Sequence, residues 1–438
     1  MTYAEAVARL LALRGGEYAG MRPGLDRIHG LLDALGNPER RYRLVQVGGT
    51  NGKGSVAAMI ATILKAAGLR VGLYTSPHLV SFRERIRVNG EAIAEDDVAD
   101  GFDAIATLVA RLDATVFEAT TALALDHFAA RAVDIAVLEV GLGGRLDATT
   151  VGTPEATVIT SLDLDHQELL GATLAEIAAE KAAIIRGRLV VSAAQPPEAA
   201  DVVRKRAATA GVALLESGRD LHVDIVAQSL AGQRFHCRGP GWTVTDLETT
   251  LLGTYQPANA LLAVAAARHL GAPETALRAG LRRVRWPGRF EVRGDGPRLV
   301  LDGAHNPGGA RALAASLATF FGDERATFIV GLSREKDARA ILGALVPRAA
   351  QFIFTLSSNR RAADPRTLVS ALPAPAPPAR VAESPAAALA LAAAEGPRAL
   401  VCVAGSLFLI GDVLAQLSGG RDRPCPIETA ADSMDPLL

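Results

Sequence analysis

The segment RLVQVGGTNGKGSVAAMIA, residues 43–61, decides the fold class of this chain. A short apolar strand over residues 43–47 runs directly into glycines, and a helical pattern follows from Val56. Glycines let backbone N–H groups converge on a polyphosphate, and the N-terminus of the following helix adds partial positive charge. The order strand, glycine-rich loop and helix therefore predicts a phosphate-binding loop at residues 48–55.

The loop differs from the standard phosphate-binding pattern at one position. That pattern ends in Gly-Lys-Ser or Gly-Lys-Thr, whereas Gly54 stands here between Lys53 and Ser55. We expect Lys53 to neutralise the β- and γ-phosphates and Ser55 to ligate magnesium. Asn51, Gly52 and Gly54 complete the predicted nucleotide contacts of the loop. The alternative is a glycine-rich turn that caps a helix and binds no ligand.

Short apolar strands alternate with helical patterns after the loop. Strands are predicted at residues 69–75, 133–140 and 156–160, and helical patterns fill residues 95–130. Residues 189–246 continue the alternation and then become hairpin-like. Such alternation is typical of a parallel sheet that helices cover on both faces.

A composition break at RRVRWPGRFEV marks the predicted domain boundary, because Pro287 and Gly288 interrupt the pattern there. A second α/β series follows, with strands predicted in RLVLDGA, ATFIVGL, AQFIFTL and ALVCVAG. Within it, ALPAPAPPAR (371–380) is predicted to be a surface loop. The predicted fold is α/β, with a P-loop-type domain around a parallel-rich central sheet at residues 1–287, a smaller Rossmann-like α/β domain at 288–420, and a tail at 421–438.

The composition argues against several classes of protein. A net charge of −1 over 438 residues gives no electrostatic case for a nucleic acid or an anionic membrane as partner. The sequence has no run of about eighteen uncharged apolar residues, so no membrane span is predicted. Its cysteines, Cys237, Cys402 and Cys425, match no disulfide or zinc spacing, which favours a reduced, cytoplasmic setting. The amphipathic N-terminus is unlike a signal peptide.

Polar residues stand where the predicted strands end. Glu139 ends VDIAVLEV beside glycines, and the carboxyl ends of parallel strands are where α/β proteins bind ligands. Since magnesium prefers oxygen, Glu139 is a candidate metal ligand, with an ordinary surface carboxylate as the alternative. His166 and Lys181 are less informative by themselves. A lone His is more often a cap or core residue, and a Lys in AEKAAII is more often solvated.

Eight segments together resemble one known family. GTNGKGS resembles the phosphate loop of the Mur ligase superfamily, and the other segments resemble folylpolyglutamate synthase and dihydrofolate synthase. They are TSPHL (75–79), LEVGLGGRLDAT (138–149), LDLDHQELLG (162–171), AEKAAII (179–185), PGRFE (287–291), LDGAHNP (301–307) and AGSLFL (404–409). The resemblance covers nearly the whole chain in the family's order. It implies an ATP-dependent, magnesium-requiring ligase that adds glutamate to a folate-type acceptor through an acyl phosphate.

The resemblance also implies roles for individual residues. It implies catalytic roles for Lys53, His166 and Lys181, and further ATP contacts at Asn259, Arg289 and Asp302. It implies two magnesium ions, with a carbamate formed on the Lys181 amine as one ligand. The implied metal ligands are Ser55, Ser76, Glu139, His166 and Lys181.

Substrate residues follow from the same resemblance. The pterin-binding region resembles FEAT (Phe117, Glu118, Ala119 and Thr120) and LDA (Leu146, Asp147 and Ala148), together with GLDRI at residues 24–28. His305 and Ser406 are expected near the incoming glutamate, and Arg85 is a candidate contact for a substrate carboxylate. GGRLDAT resembles bifunctional enzymes more than enzymes restricted to polyglutamylation.

Three alternatives remain open from the sequence. The chain could catalyse polyglutamylation only, it could ligate an amino acid to a cell-wall precursor as other Mur ligases do, or it could be a non-enzymatic ATP switch. The expected partners are ATP, L-glutamate and dihydropteroate or folates, with no nucleic acid and no membrane. A monomer is expected.

Overall fold

The computed structural model describes residues 1–13, 22–294 and 298–418, so the predicted tail at 421–438 lies outside the described residues. In the described ranges the strands form three sheets of eight, three and six strands. None of the helices found there is long and apolar enough to span a bilayer.

The eight-stranded sheet is the frame of the first domain. Its strands are β1 (Arg43–Gly48), β2 (Val71–Tyr74), β3 (Ile86–Val88), β4 (Glu91–Ala92), β5 (Ile135–Glu139), β6 (Ala156–Ile159), β7 (Leu189–Ser192) and β8 (Ala213–Glu216). They lie in the order β4-β3-β2-β5-β1-β6-β7-β8. The run from β2 to β8 is parallel, and β3 and β4 add an antiparallel edge. The parallel-rich central sheet predicted from the sequence is confirmed.

Helices cover this sheet and carry much of its core. In the first domain they are α1 (Tyr3–Leu11), α2 (Asp26–Ala34), α3 (Lys53–Ala66), α4 (Glu95–Leu112), α5 (Val116–Ala130), α6 (Gln167–Leu170), α7 (Leu174–Ala182), α8 (Pro197–Ala210), α9 (Gln256–His269) and α10 (Glu274–Arg283). The helix after the phosphate loop, α3, packs against α9 and α10. Gly280 permits that close approach, since a Cβ there would lie 2.5 Å from the Ile63 Cα.

The hairpin-like segment forms a separate antiparallel sheet. Its strands are β9 (His222–Ser229), β10 (Gly232–Gly239) and β11 (Trp242–Thr249), in the order β11-β10-β9. Phe235 and Cys237 of β10 are buried in the same core as α3 and α9. This sheet therefore packs onto the first domain.

The second domain has a six-stranded sheet. Its strands are β12 (Glu291–Arg293), β13 (Arg298–Leu301), β14 (Ala326–Val330), β15 (Ala349–Phe354), β16 (Ala379–Val381) and β17 (Leu400–Ala404). The order is β12-β13-β17-β14-β15-β16, and only β12 is antiparallel to its neighbour among the strands described. Its helices are α11 (Pro307–Phe321), α12 (Ala338–Leu345), α13 (Pro365–Ser370), α14 (Pro385–Ala393) and α15 (Leu407–Leu417).

The prediction of a surface loop at residues 371–380 is wrong at its end. Ala379 and Arg380 belong to β16, because their backbone pairs with β15 along the edge of the sheet. The predicted domain boundary at residues 287–288 falls between α10 and β12, and its position stays a prediction.

Candidate active site

A cavity of about 400 Å³ lies between the two domains. The predicted nucleotide, metal and glutamate residues all line it, from both sides of the predicted boundary. They are Asn51, Gly52, Lys53, Gly54, Ser55, Ser76, Glu139, His166, Lys181, Asn259, Arg289, Asp302, His305 and Ser406. Residues that are far apart in sequence thus form one cleft.

The phosphate loop forms the first-domain wall of the cleft. Gly52 is the N-cap of α3 with a φ of 93°, a left-handed conformation that favours glycine. A Cβ at this position would also lie 2.7 Å from the Asn259 Oδ1 atom. The Lys53 ammonium donates to the Thr50 carbonyl at 3.2 Å. The glycine therefore allows the turn and the close approach of α9 to the loop.

A buried side-chain relay joins the phosphate loop to α9. The Gln256 amide donates to the Ser55 Oγ atom at 3.3 Å, and Asn259 donates to the Gln256 Oε1 atom at 3.1 Å. Gln256 is fully buried and Ser55 is 1% exposed. Sequence reasoning did not identify Gln256, although its position three residues before Asn259 in one helix places the two on the same face.

The extra glycine of the loop makes room for an indole ring. A Cβ at Gly54 would lie 2.9 Å from the Cζ2 and Nε1 atoms of Trp286. We expect Gly54→Ala to lower the free energy of unfolding by about 1–3 kcal/mol through overpacking, and to weaken ATP binding. Urea denaturation and calorimetric titration with ATP measure both effects.

A helical glycine elsewhere supplies the control for this prediction. The nearest atom to a Cβ at Gly343 in α12 would be the Pro373 Cγ atom at 3.7 Å, an ordinary contact. Gly343→Ala should therefore leave stability unchanged or raise it slightly. Adding Trp286→Leu to Gly54→Ala should restore much of the loss. If the double variant is as unstable as Gly54→Ala, a clash with the Trp286 indole is not the cause of the loss.

Glu139 is a buried carboxylate at the end of β5. Only 5% of the residue is exposed, and its Oε2 atom accepts the Ser76 N–H at 3.1 Å. Burial raises the pKa of Glu139 above its usual value, while Lys53, the Ser76 N–H and Arg289 act in the opposite direction. A carboxylate in this position gains from a nearby cation.

His166 and Lys181 both face the cleft, and burial favours the uncharged form of each side chain. His166 has a φ of 52°, and burial lowers its pKa to about 3, which leaves the imidazole a free lone pair. Lys181 is 3% exposed and donates to the Gly49 carbonyl at 3.1 Å. Burial, with Lys53 nearby, lowers the pKa of Lys181 to about 7. The expectation of a solvated Lys, drawn from its helix alone, is therefore wrong.

The donor set suits magnesium shared with phosphates. Among the described residues no three His, Cys, Asp or Glu side chains are grouped closely enough to hold a metal. The cleft instead offers Ser55 and Ser76 hydroxyls beside the Glu139 carboxylate. Magnesium commonly takes one or two carboxylates, with phosphates and water completing its shell.

Asp302 fixes the junction of the two domains. Its Oδ2 atom accepts from the Tyr255 hydroxyl at 3.0 Å and from the Phe290 N–H at 2.9 Å, and its Oδ1 atom accepts the Ala304 N–H at 2.8 Å. Burial raises the pKa of Asp302, which Arg289 opposes. Both oxygens are thus engaged by protein groups, and Arg289 lies beside them facing the cleft.

His305 and Ser406 lie on the second-domain wall. The His305 Nδ1 atom is 2.8 Å from the Gly303 carbonyl, and its Nε2 atom is 3.6 Å from the Asp165 carboxylate. Ser406 is the N-cap of α15 and accepts the Phe408 N–H at 3.2 Å. Polar residues of the second domain that sequence reasoning missed also line the cleft, among them Arg311, Lys336 and Arg361.

The three segments predicted to bind the acceptor meet beside the cleft. Arg27 of GLDRI pairs with the Glu118 carboxylate at 2.9 Å. The Phe117 ring packs against Gly141, since a Cβ on Gly141 would lie 2.6 Å from the Phe117 Cζ atom. Gly141 itself lines the cleft. The rest of these segments lie deeper, with Ala119, Thr120 and Ala148 buried and Leu146 half-buried.

Asp147 holds residues 141–149, the predicted acceptor loop, in shape. Its carboxylate accepts the N–H groups of Gly141 and Leu142 at 3.0 Å and the Thr149 N–H at 2.9 Å. Asp147→Asn presents an amide N–H to these donors, so we expect the KM for the acceptor to rise about tenfold with the KM for ATP unchanged. Steady-state kinetics with each substrate varied measures this.

Asp134→Asn is the matched control at the opposite end of β5. Asp134 accepts the Arg70 N–H at 2.7 Å, away from the residues of the cleft. It should leave both KM values unchanged. If the KM for ATP rises equally in Asp147→Asn, the residue shapes the whole cleft and not only the part predicted to bind the acceptor.

Arg85 does not line the cleft. It is fully buried, donates to the His78 Nδ1 atom at 2.8 Å, and stacks over the Phe82 ring at 5.8 Å. In this structure it supports the TSPHL segment, which carries Ser76. Its predicted contact with a substrate carboxylate stays a prediction.

Comparisons with protein families identify both halves of the cleft. The model described as the Mur ligase middle domain matches residues 47–267. The model described as the Mur ligase glutamate ligase domain matches residues 288–407.

Curated relatives narrow the family. A folylpolyglutamate synthase of Lacticaseibacillus casei is 41% identical over 72% of this chain and 77% of its own length. A Bacillus subtilis protein named dihydrofolate synthase/folylpolyglutamate synthase is 39% identical over the same shares. A Haloferax volcanii protein named probable bifunctional folylpolyglutamate synthase/dihydropteroate synthase is 40% identical over 84% of this chain. The chain spans 45% of the length of this archaeal relative.

Solved structures agree with the relatives. A Thermotoga maritima folylpolyglutamate synthase has a TM-score of 0.84 at 37% identity, covering 97% of this chain and 98% of its own. A Mycobacterium tuberculosis folylpolyglutamate synthase complexed with ADP and AMPPCP has a TM-score of 0.88 at 33% identity, covering 96% and 99%. An FPGS–AMPPCP–folate complex has a TM-score of 0.83 at 36% identity, covering 95% and 100%. This chain therefore belongs to the folylpolyglutamate synthase/dihydrofolate synthase family of Mur ligases, and it is an ATP-dependent ligase.

Proposed function

We propose that this enzyme joins L-glutamate to dihydropteroate, which forms dihydrofolate, and to the γ-carboxylate of folylglutamates. The observation that carries the proposal is the two-walled cleft. A phosphate loop forms one wall, His305 and Ser406 lie on the other, and the acceptor segments meet beside them at Gly141. A carboxylate, a triphosphate and an amine can thus be held together within one cleft.

The proposed reaction has two steps. An acceptor carboxylate oxygen attacks the γ-phosphorus of ATP, and the bond from that phosphorus to the bridging oxygen breaks. The products of this step are an acyl phosphate and ADP. The glutamate amine then attacks the acyl carbon, loses a proton as the amide forms, and displaces inorganic phosphate. Lys53 and the N–H groups of the phosphate loop hold the phosphates, and Arg289 offers a planar fork to their oxygens.

Positioning and charge neutralisation supply most of the catalysis. Ser55, Ser76, Glu139, His166 and Lys181, the last as a carbamate, would hold two Mg²⁺ ions that neutralise the γ-phosphate and the attacking carboxylate. The neutral Lys181 amine that burial favours is the form that reacts with carbon dioxide. Because both domains enclose the cleft, water is kept from the acyl phosphate.

A phosphate-release assay with each acceptor, with and without glutamate, tests this function. We expect release only when ATP, glutamate and either dihydropteroate or a tetrahydrofolate are all present. Turnover with the folate but not with dihydropteroate would restrict the enzyme to polyglutamylation. Turnover only with a cell-wall peptide precursor would identify a different Mur ligase, and ATP binding without glutamate-dependent release would identify a switch.

We also propose that the enzyme works as a cytoplasmic monomer. One chain supplies both walls of the cleft, so no second copy is needed to complete it. Cys237 and Cys402 are free buried thiols in the described part of the chain, as a reducing compartment allows. Light scattering of the purified protein measures the mass, and a dimer mass would contradict the monomer.

A further inference from the structure

We propose that Lys336 is a positioning residue whose ion pair with Asp165 latches the second domain onto the first and couples closure of the cleft to the placement of His166. The inference rests on the proposed function only for the role of His166. The latch itself is a contact between two domains and can be measured without turnover.

The LDLDH segment, residues 162–166, carries the first-domain half of this latch. It follows β6 and leads into α6, and both of its carboxylates pair with side chains of the second domain. The Asp165 Oδ1 atom lies 2.5 Å from the Lys336 ammonium, and the Asp163 Oδ2 atom lies 3.2 Å from the Arg311 guanidinium. The two ion pairs join this segment to helix α11, which carries Arg311, and to the loop before α12, which carries Lys336.

The Asp165 pair is the stronger of the two because it is buried. The side chains of Lys336 and Asp165 are 11% and 7% exposed, whereas that of Arg311 is 63% exposed. Exposed ion pairs contribute little to stability. Removing one partner of a buried pair leaves an uncompensated charge and is strongly unfavourable. The closed arrangement therefore depends on Lys336 far more than on Arg311.

Further donors from the second domain converge on the same carboxylate. The Asn306 Nδ2 atom donates to the Asp165 Oδ2 atom at 3.1 Å, and the His305 Nε2 atom lies 3.6 Å from it. Asn306 also exchanges hydrogen bonds with Asn51 of the phosphate loop at 3.0 and 3.3 Å. Asp165 is thus the point in the first domain where loops of the second domain meet.

Asp165 passes this contact on to His166 through the backbone. Its Oδ1 atom, which receives the Lys336 ammonium, also accepts the His166 N–H at 2.9 Å. His166 has a left-handed φ of 52°, which is uncommon for a residue other than glycine and needs support from its surroundings. Withdrawal of Lys336 would leave only Asn306 and His305 of these partners, both on the Oδ2 atom, and would weaken the hold on the Oδ1 atom that supports His166.

Lys336→Met tests the latch by two independent readouts. Small-angle scattering should give a larger radius of gyration for the variant than for the wild type when each protein is measured with AMPPCP and magnesium. The kcat should fall about a hundredfold, because small misplacements of catalytic groups cost that much, while the KM values for ATP and glutamate stay within about threefold. Circular dichroism verifies that the variant is folded.

Matched variants separate the latch from other roles of a lysine. Lys336→Arg keeps the charge and should recover the compact radius and part of the kcat. Arg339→Ala, an exposed residue of α12, should behave as the wild type. Because Lys336 acts through Asp165, the kcat of Asp165→Asn/Lys336→Met should be no lower than that of Asp165→Asn alone.

Two results would overturn the latch. One is a wild-type radius of gyration in Lys336→Met together with a large rise in the KM for glutamate, which would make Lys336 a direct substrate contact. The other is a fall in kcat for the double variant that equals the product of the two single effects. If no acceptor supports turnover in the wild type, the proposed function fails, and the scattering comparison still tests the latch.

Discussion

Lys53→Ala is expected to reduce phosphate release at least a thousandfold, to about the assay background, with every acceptor and with or without glutamate. The Lys53 ammonium lies in the phosphate loop, held by the Thr50 carbonyl at 3.2 Å, and it faces the cleft beside Glu139 and Lys181. Attack of a carboxylate on a triphosphate brings anions together, so the loss of a fixed cation raises the barrier. A coupled phosphate assay over single and multiple turnovers measures the change.

Lys65→Ala is the matched control on the same helix. Lys65 is exposed in the last turn of α3 and donates to the Asn89 carbonyl at 2.6 Å, outside the cleft. It should keep wild-type turnover. Substantial activity in Lys53→Ala, with Lys65→Ala normal, would remove the phosphate loop from the mechanism.

Lys181→Met is expected to abolish turnover and yet to stabilise the fold at low pH. Burial lowers the pKa of Lys181 to about 7 from an ordinary value of 10.5. Below pH 7 the amine is protonated in both the folded and the unfolded chain, and the folded state bears the cost of the buried charge. Between pH 7 and 10.5 only the unfolded chain binds the proton, so the wild type gains stability relative to Lys181→Met by up to about 1.4 kcal/mol per pH unit.

Urea denaturation of both proteins at pH 6, 7, 8 and 9 measures this difference. The advantage of Lys181→Met should be largest at pH 6 and shrink as the pH rises. Lys205→Met, which removes an exposed lysine of α8, should show no such trend. A difference between wild type and Lys181→Met that does not vary with pH would mean that the amine is not buried as described.

Labelling with ¹³C-bicarbonate distinguishes an unmodified amine from a carbamate at Lys181. A carbamate adds a carbonyl carbon to the folded protein, so ¹³C-bicarbonate should give a new carbon resonance in the wild type that Lys181→Met lacks. The resonance should grow as the pH rises above about 7, where the neutral amine dominates. Identical spectra of the two proteins would contradict the carbamate.

The central fold was predictable because its signals are local. The strand, the glycine loop and the helix of residues 43–61 are adjacent in the chain, and the strands β5 and β6 are mostly apolar and buried at every position. The edge strands β12 and β16 were missed, since three residues at a sheet edge leave no apolar alternation. Their pairing comes from the neighbouring strand instead.

The missed parts of the site arise from contacts between distant segments. Gln256 meets Ser55 across 201 positions of sequence, and Lys336 meets Asp165 across 171. Neither residue stands in a motif with a physical meaning of its own. The burial of Lys181 was hidden for the same reason, because the loop that covers it lies 132 positions away.

The Trp286 indole packs against Gly54, so its fluorescence can report on the nucleotide site. The chain has two tryptophans, and Trp242 lies in the antiparallel sheet with the Arg268 guanidinium 5.0 Å from its ring centre. In a Trp242→Phe protein Trp286 would therefore be the only tryptophan. Its intrinsic fluorescence would follow occupancy of the phosphate loop in real time, without a dye or a radioactive tracer.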